Sequence, residues 1–241
     1  MFFKKRIEKI IENLLAGNEL NWSDLKFLFS KKWREIDILL EKGFTKGVSL
    51  IMMYDVYLKE IGEDEEAELD VALYYCKKCL EIGKRNGEFE RRASWLQPML
   101  LRSMGDIYSN KGYHYKHPEE IDKAIECYEK GMKLTKEPLL LGDLCKGMAK
   151  ALGRKGKDEE YIKWLKKAKD WYVTSGNKKS IGEILGDLAE VCILAGRRQE
   201  AESYYNEFLA ISKELGKDTC KLEALFKGLF NAMKHEETKR W

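Results

Sequence analysis

Proline is scarce in this 241-residue chain, with only Pro98, Pro118 and Pro138. Asn-Gly and Asp-Gly turns and alternating β-branched runs are nearly absent too, which removes the punctuation an all-β fold needs. No apolar run reaches the length of a membrane span. The start, Met1-Phe2-Phe3-Lys4-Lys5-Arg6, meets charge again at Glu8, Lys9 and Glu12. It therefore does not read as a secretion signal, and the expectation is a cytoplasmic protein with reduced cysteines. Charge of one sign is also missing. The 44 Lys+Arg stand against 41 Asp+Glu, so the strong basic excess usual in nucleic-acid binders is absent. Only Gln97 and Gln199 are glutamines, a composition that leans towards a thermophilic source, against which six Cys and eight Asn weigh.

What is present is helical. Lys, Glu, Leu, Ala and Ile dominate, and apolar residues recur every three to four positions. The spacing predicts helices over 2–16, 23–41, 45–61, 64–85, 88–111, 118–136, 138–154, 158–175, 178–195, 197–215 and 218–237. Gly17, Gly43, Gly62, Gly112, Gly156, Gly176, Gly196 and Gly216 fall near the expected helix ends, where a left-handed residue closes the last turn. Pro118 and Pro138 suit first turns, and Ser23 and Thr45 suit caps. Pro98 lies inside an expected helix, so a kink or break is expected there. Short loops make consecutive helices antiparallel hairpins.

The hairpins repeat. Leu185-x-x-Leu188-Ala189-x-x-Cys192-x-x-x-Gly196 is followed by Ala201-x-x-x-Tyr205-x-x-Phe208. Cys145-x-x-Met148-Ala149-x-x-Leu152-x-x-x-Gly156 is followed by Tyr161-x-x-x-Leu165-x-x-Ala168. Leu101-x-x-Met104-Gly105-x-x-Tyr108-x-x-x-Gly112 is followed by Ala124-x-x-x-Tyr128-x-x-Gly131. A weaker copy runs from Leu50-x-x-Met53-Tyr54-x-x-Tyr57 to Ala72-x-x-x-Cys76-x-x-Cys79. Small residues let backbones approach closely, and large ones fill the grooves between them.

This pattern resembles the tetratricopeptide repeat (TPR). The turns Gly176-Asn177 and Gly216-Lys217-Asp218 are 40 residues apart, which resembles a longer-period subtype. The resemblance implies an all-α, right-handed superhelix of antiparallel helix hairpins, a TPR-like α-solenoid of about eleven helices. Residues 1–42 read as a divergent N-terminal helix pair, 43–216 as four TPR-like pairs, and 217–241 as a capping helix and tail. Tyr161 departs from the pattern by filling a slot that normally takes a small residue. Insertions fall at Glu63–Glu68 and Tyr113–Glu119.

The resemblance further implies a non-enzymatic interaction module or scaffold that binds an extended or acidic, C-terminal peptide on the concave face. Lys146, Lys150 and Arg154 lie four apart on one side of an expected helix, away from its apolar stripe. Arg102 holds the slot of Lys146 one repeat earlier, and Asn110 follows two turns on. These five are the candidate peptide-binding residues, against the alternative of a merely solvated face. Glu183, Asp187 and Glu190 form an acidic strip on the next first helix, read as pairing with the basic stripe in preference to binding a mixed-charge partner. The segment carrying Tyr113, His114, Tyr115 and His117 is read as a loop that offers further contacts. Cys76-x-x-Cys79 and His114-x-x-His117 have zinc-ligand types and spacings. The cysteines occupy packing slots, however, so they are assigned to the core, as are Cys145 and Cys192. Trp164 and Trp171, seven apart, are expected to place at least one ring in the core or a hairpin seam. No catalytic constellation, cofactor or metal is expected. The partner is expected to be a protein or peptide, without membrane or nucleic acid. Homodimeric self-assembly and a peptide-responsive regulatory module are the alternatives.

Overall fold

In a computed structural model the chain is described over residues 2–16, 18, 20–42, 66–91 and 95–217, and at positions 219, 223 and 226. Every regular element among the described residues is an α-helix. They are α1 (Phe2–Leu15), α2 (Trp22–Phe29), α3 (Arg34–Lys42), α4 (Glu66–Arg85), α5 (Glu88–Arg91) and α6 (Leu96–His114), then α7 (Pro118–Leu134), α8 (Pro138–Arg154), α9 (Asp158–Ser175), α10 (Lys178–Leu194) and α11 (Arg198–Glu214). The helices expected over 45–61 and 218–237, with Thr45, lie wholly or largely outside the described residues. The chain divides into two compact units, Met1–Thr135 and Lys136–Trp241.

The first unit packs α4 against α2, α3 and α6, and pairs α6 with α7 in a hairpin. Its interior holds Ile7, Leu25, Leu28, Phe29, Ile36, Leu40, Tyr75 and Tyr128. The helix expected over 23–41 is in fact two helices. Ser30 closes α2, its hydroxyl donating to the Phe27 carbonyl at 2.7 Å. The Trp33 backbone N–H, freed between the helices, donates to the buried Tyr75 hydroxyl at 2.7 Å. That contact spans 42 residues of sequence, so no local pattern could signal it. Asn21, not Ser23, caps α2, accepting from the Asp24 N–H at 2.9 Å.

Two further boundaries move. The helix expected over 88–111 is interrupted, and α6 begins at Leu96, so Pro98 sits in a first turn where its missing N–H loses no bond. At its other end α6 runs through Gly112 to His114. Gly112 is therefore not a turn residue. It is buried, and a Cβ there would meet the Ile121 side chain of α7 and the His117 carbonyl. Tyr113 and His114 consequently belong to a helix, and the connecting segment shrinks to Tyr115–His117.

Among the described residues the second unit holds two hairpins, α8–α9 and α10–α11, joined through contact between α9 and α10. Its interior is Leu144, Met148, Ala149, Leu165, Ala168, Tyr172, Ile184, Leu188, Ala189, Cys192 and Ala201. Pro138 opens α8, as expected, behind Glu137, whose carboxylate accepts the Leu139 and Leu140 N–H groups. Helix ends repeat one motif. The Lys157 N–H donates to the Leu152 carbonyl at 3.1 Å, Arg197 to Cys192 at 2.8 Å and Lys217 to Ser212 at 3.0 Å. Each bond spans a glycine of positive φ, Gly156, Gly196 or Gly216, as in a Schellman ending.

Candidate functional site

The first helix of each pair turns one stripe inward and leaves another outside. On α8 the inward stripe is Leu144, Cys145, Met148, Ala149 and Leu152, all buried. Lys150 is exposed and Arg154 half-buried. Lys146 lies between the two stripes, its side chain 19% exposed. It reaches α10, where its Nζ stands 3.6 Å from Glu183 Oε2 and 3.2 Å from Asp187 Oδ2. Lys146 of the basic stripe therefore meets Glu183 and Asp187 of the acidic one, part of the pairing that the sequence suggested.

Lys146 is not aligned as a full hydrogen-bond donor to Asp187. Asp187 Oδ2 is buried and has no hydrogen-bond partner among the described residues. The contact is thus an ion pair with an acceptor site left over. Tyr161, from the first turn of α9, completes the cluster. Burial, reinforced by the charges of Asp187 and Glu190, pushes its phenol up to about 12. Its ring faces Gly153, where an added Cβ would stand 3.3 Å from it. A glycine on α8 thus makes room for the large residue that departs from the repeat pattern. The result is a face with one recessed cation, an outer cation at Lys150 and three carboxylates.

Arg102 and Asn110 belong to the first unit, on α6. Arg102 is half-buried, its Nη1 3.6 Å from Asp106 Oδ2 one turn on. Asp106 Oδ1 accepts the Tyr128 hydroxyl at 2.7 Å. In the second unit Tyr172 donates to Asp143 at 2.8 Å in the same manner. The sequence reading missed these tyrosine–carboxylate bonds between hairpin partners. A signal existed: Gly105-Asp106, Gly142-Asp143 and Gly186-Asp187 recur on the three first helices. In the first two, an added glycine Cβ would stand 2.5 Å from the ring of Tyr128 or Tyr172. In the third the facing ring is Phe208, which has no hydroxyl, and Asp187 turns to Lys146 instead.

The aromatic and histidine segment does not form one surface loop. Tyr113 is exposed in the last turn of α6 with its ring edge-on to His114. Tyr115 is half-buried, and His117 Nε2 lies 3.1 Å from Glu66 Oε1 on α4. Lys111 binds the same helix through Asp70 at 2.5 Å. Cys76, Cys79, Cys127, Cys145 and Cys192 are buried thiols, and Cys220 lies outside the described residues. Burial pushes Cys79 up to about 12, and Cys127 and Cys145 to about 11. No group of His, Cys, Asp and Glu among the described residues is placed to hold a metal ion. No described helix is long and apolar enough to cross a membrane. Trp171 is exposed and Trp164 half-buried, with the Lys167 ammonium 3.9 Å over its ring, so neither ring is fully buried.

No family model matches the chain, and no curated protein matches it. Solved structures do. One, a crystal structure of nearly identical TPR-like repeats described as a kinesin light chain from Podosopora anserina, is 14% identical with a TM-score of 0.51, covering 88% of this chain and 95% of that one. A second structure of such repeats from the same source is 15% identical, TM-score 0.41, covering 83% and 100%. A Rap protein complexed with competence and sporulation factor is 14% identical, TM-score 0.43, covering 86% of this chain and 58% of that one. The all-α fold is thus of the TPR type, as the repeat pattern implied.

Proposed function

We propose that this chain is a non-enzymatic interaction module that takes an extended peptide of mixed charge on the face shared by α8 and α10. The observation that carries this reading is the recessed Lys146 between Glu183 and Asp187. A peptide carboxylate, side-chain or C-terminal, takes over Lys146 with help from Lys150 and Arg154. A basic side chain or a peptide N–H then occupies the released carboxylates, including the unfilled acceptor at Asp187 Oδ2. A wholly acidic peptide fits less well, since two carboxylates flank the cation it needs. Arg102 and Asn110 are proposed to offer a separate contact on α6. TPR-type hairpins support the reading, because their first helices present side chains on a regular, rigid spacing.

The test is a peptide array graded in charge pattern, followed by calorimetry on the best binder. Peptides carrying both charges should bind best. Lys146→Gln and Glu183→Gln should each weaken them by ~fivefold or more, the threshold of an energetically important contact. Unchanged affinity in both variants would assign the cluster to stability alone.

A further inference from the structure

The first unit carries a second charged surface, of different chemistry. Phe3, on the first turn of α1, is 63% exposed. Its ring stacks on Phe27 of α2 with centroids 6.0 Å apart, and Phe27 meets Trp33 at 5.1 Å. Trp33 is buried and anchored, its indole N–H donating to the Phe27 carbonyl at 3.3 Å. Cations crown this cluster. The Arg6 guanidinium lies 4.2 Å over Phe27, and Lys31 Nζ lies 4.1 Å over Trp33 and 5.7 Å from Phe3. Lys32 covers Tyr74 at 4.4 Å. Arg6 has a carboxylate, Asp24 at 3.3 Å. Among the described residues no carboxylate pairs with Lys31 or Lys32. The patch is thus one accessible apolar ring on a rigid aromatic base, with a net positive rim.

We infer that this patch docks an acidic peptide segment bearing one apolar anchor. The anchor side chain covers Phe3, and the acidic side chains meet Lys31, Lys32 and Arg6. Charge complementarity selects the occupant. Single-stranded nucleic acid fits less well, because stacking platforms need several open rings. Here Phe27 is already engaged by Phe3 and Arg6, and Trp33 is buried. An anionic lipid surface fits less well, because α1 turns Ile7 and Ile10 into the core and sets Glu8 and Glu12 among its outward residues.

The experiment uses the full chain and a dye-labelled peptide of repeating Glu-Glu-Leu-Phe units, followed by fluorescence anisotropy. The comparison probes are the Lys-Lys-Leu-Phe counterpart, an oligouridine RNA and phosphatidylserine vesicles. The acidic peptide should bind, more weakly as salt rises. Phe3→Ser and Lys31→Glu should each lower affinity by ~fivefold or more, with unchanged circular dichroism. Lys146→Gln should lower it far less than Phe3→Ser or Lys31→Glu does, which separates this patch from the α8–α10 face. Absence of binding overturns the inference. So does equal binding of the basic peptide, tighter binding of the RNA or vesicles, or loss with Lys146→Gln but not with Phe3→Ser or Lys31→Glu.

Discussion

Gly105 and Tyr128 show how single residues set the spacing of a hairpin. The ring lies where the glycine has no side chain, and its hydroxyl reaches Asp106 at 2.7 Å. Gly105→Ala forces a Cβ to 2.5 Å from that ring. Overpacking of this kind costs about 1–3 kcal/mol, readable as a lower midpoint in urea with an unchanged slope. Tyr128→Phe keeps the packing and removes a hydrogen bond to a carboxylate. It should cost about 1.5–3 kcal/mol, and a smaller change would mean that water replaces the phenol. The small slot at 105 and the large slot at 128 were legible in the sequence, because repetition exposes them. The Asp106 partnership was not, because a carboxylate beside a glycine looks like any solvated residue until the facing ring is known. Lys146 stands between these cases. Its stripe was legible, but its partners on α10 follow only from how the hairpins pack.

Helix ends and helix pairs form the next scale. Gly156, Gly196 and Gly216 close their helices with φ between 69° and 72°, and nothing lies within 4 Å of an added Cβ at any of them. The cost of Gly196→Ala is therefore conformational, about 1 kcal/mol, and Gly196→Asn should recover part of it. Thermal melts of the two variants check this ordering. The second helices α9 and α11 are linked by ion pairs, Lys166 with Glu200 at 2.5 Å and Lys169 with Glu207 at 2.9 Å. The hydrogen bond from Lys166 holds the Glu200 carboxyl below its ordinary range. Its contribution is thus present above the usual glutamate pKa and lost as pH falls through the folded value. These pairs are largely solvated, so Lys169→Ala should change stability by less than about 1 kcal/mol. Loop lengths and first-turn prolines announced most elements. The break at Ser30–Trp33 escaped, because local periodicity continues through it, whereas the break expected at Pro98 falls just ahead of that residue, before Leu96.

At the scale of the whole chain, the five cysteines among the described residues are buried and unbridged, and the three highest are raised chiefly by desolvation. A thiol whose folded pKa exceeds its unfolded value supports stability fully below the unfolded pKa. That support fades as pH rises from about 8.5–9 towards the folded value. Buried Tyr75, also raised by desolvation, acts in the same direction. Stability should therefore hold to about pH 8.5 and decline above it. In the native protein at about pH 8, below the ordinary thiol range, a thiol reagent should label these five cysteines only on unfolding. Rapid labelling of them in the folded state would contradict their burial.

The sequence by itself determined that the chain is helical, that helices pair into repeated hairpins, and which residues line their interiors. Those features follow from short-range periodicity, capping and turn chemistry, and each is written several times along the chain. The tertiary structure alone decided where α2 and α3 part, where α6 starts and stops, and which charge faces which. Those outcomes depend on single contacts between residues far apart in sequence, such as Trp33 with Tyr75 and Lys146 with Asp187. A contact made once between distant residues leaves no period to read.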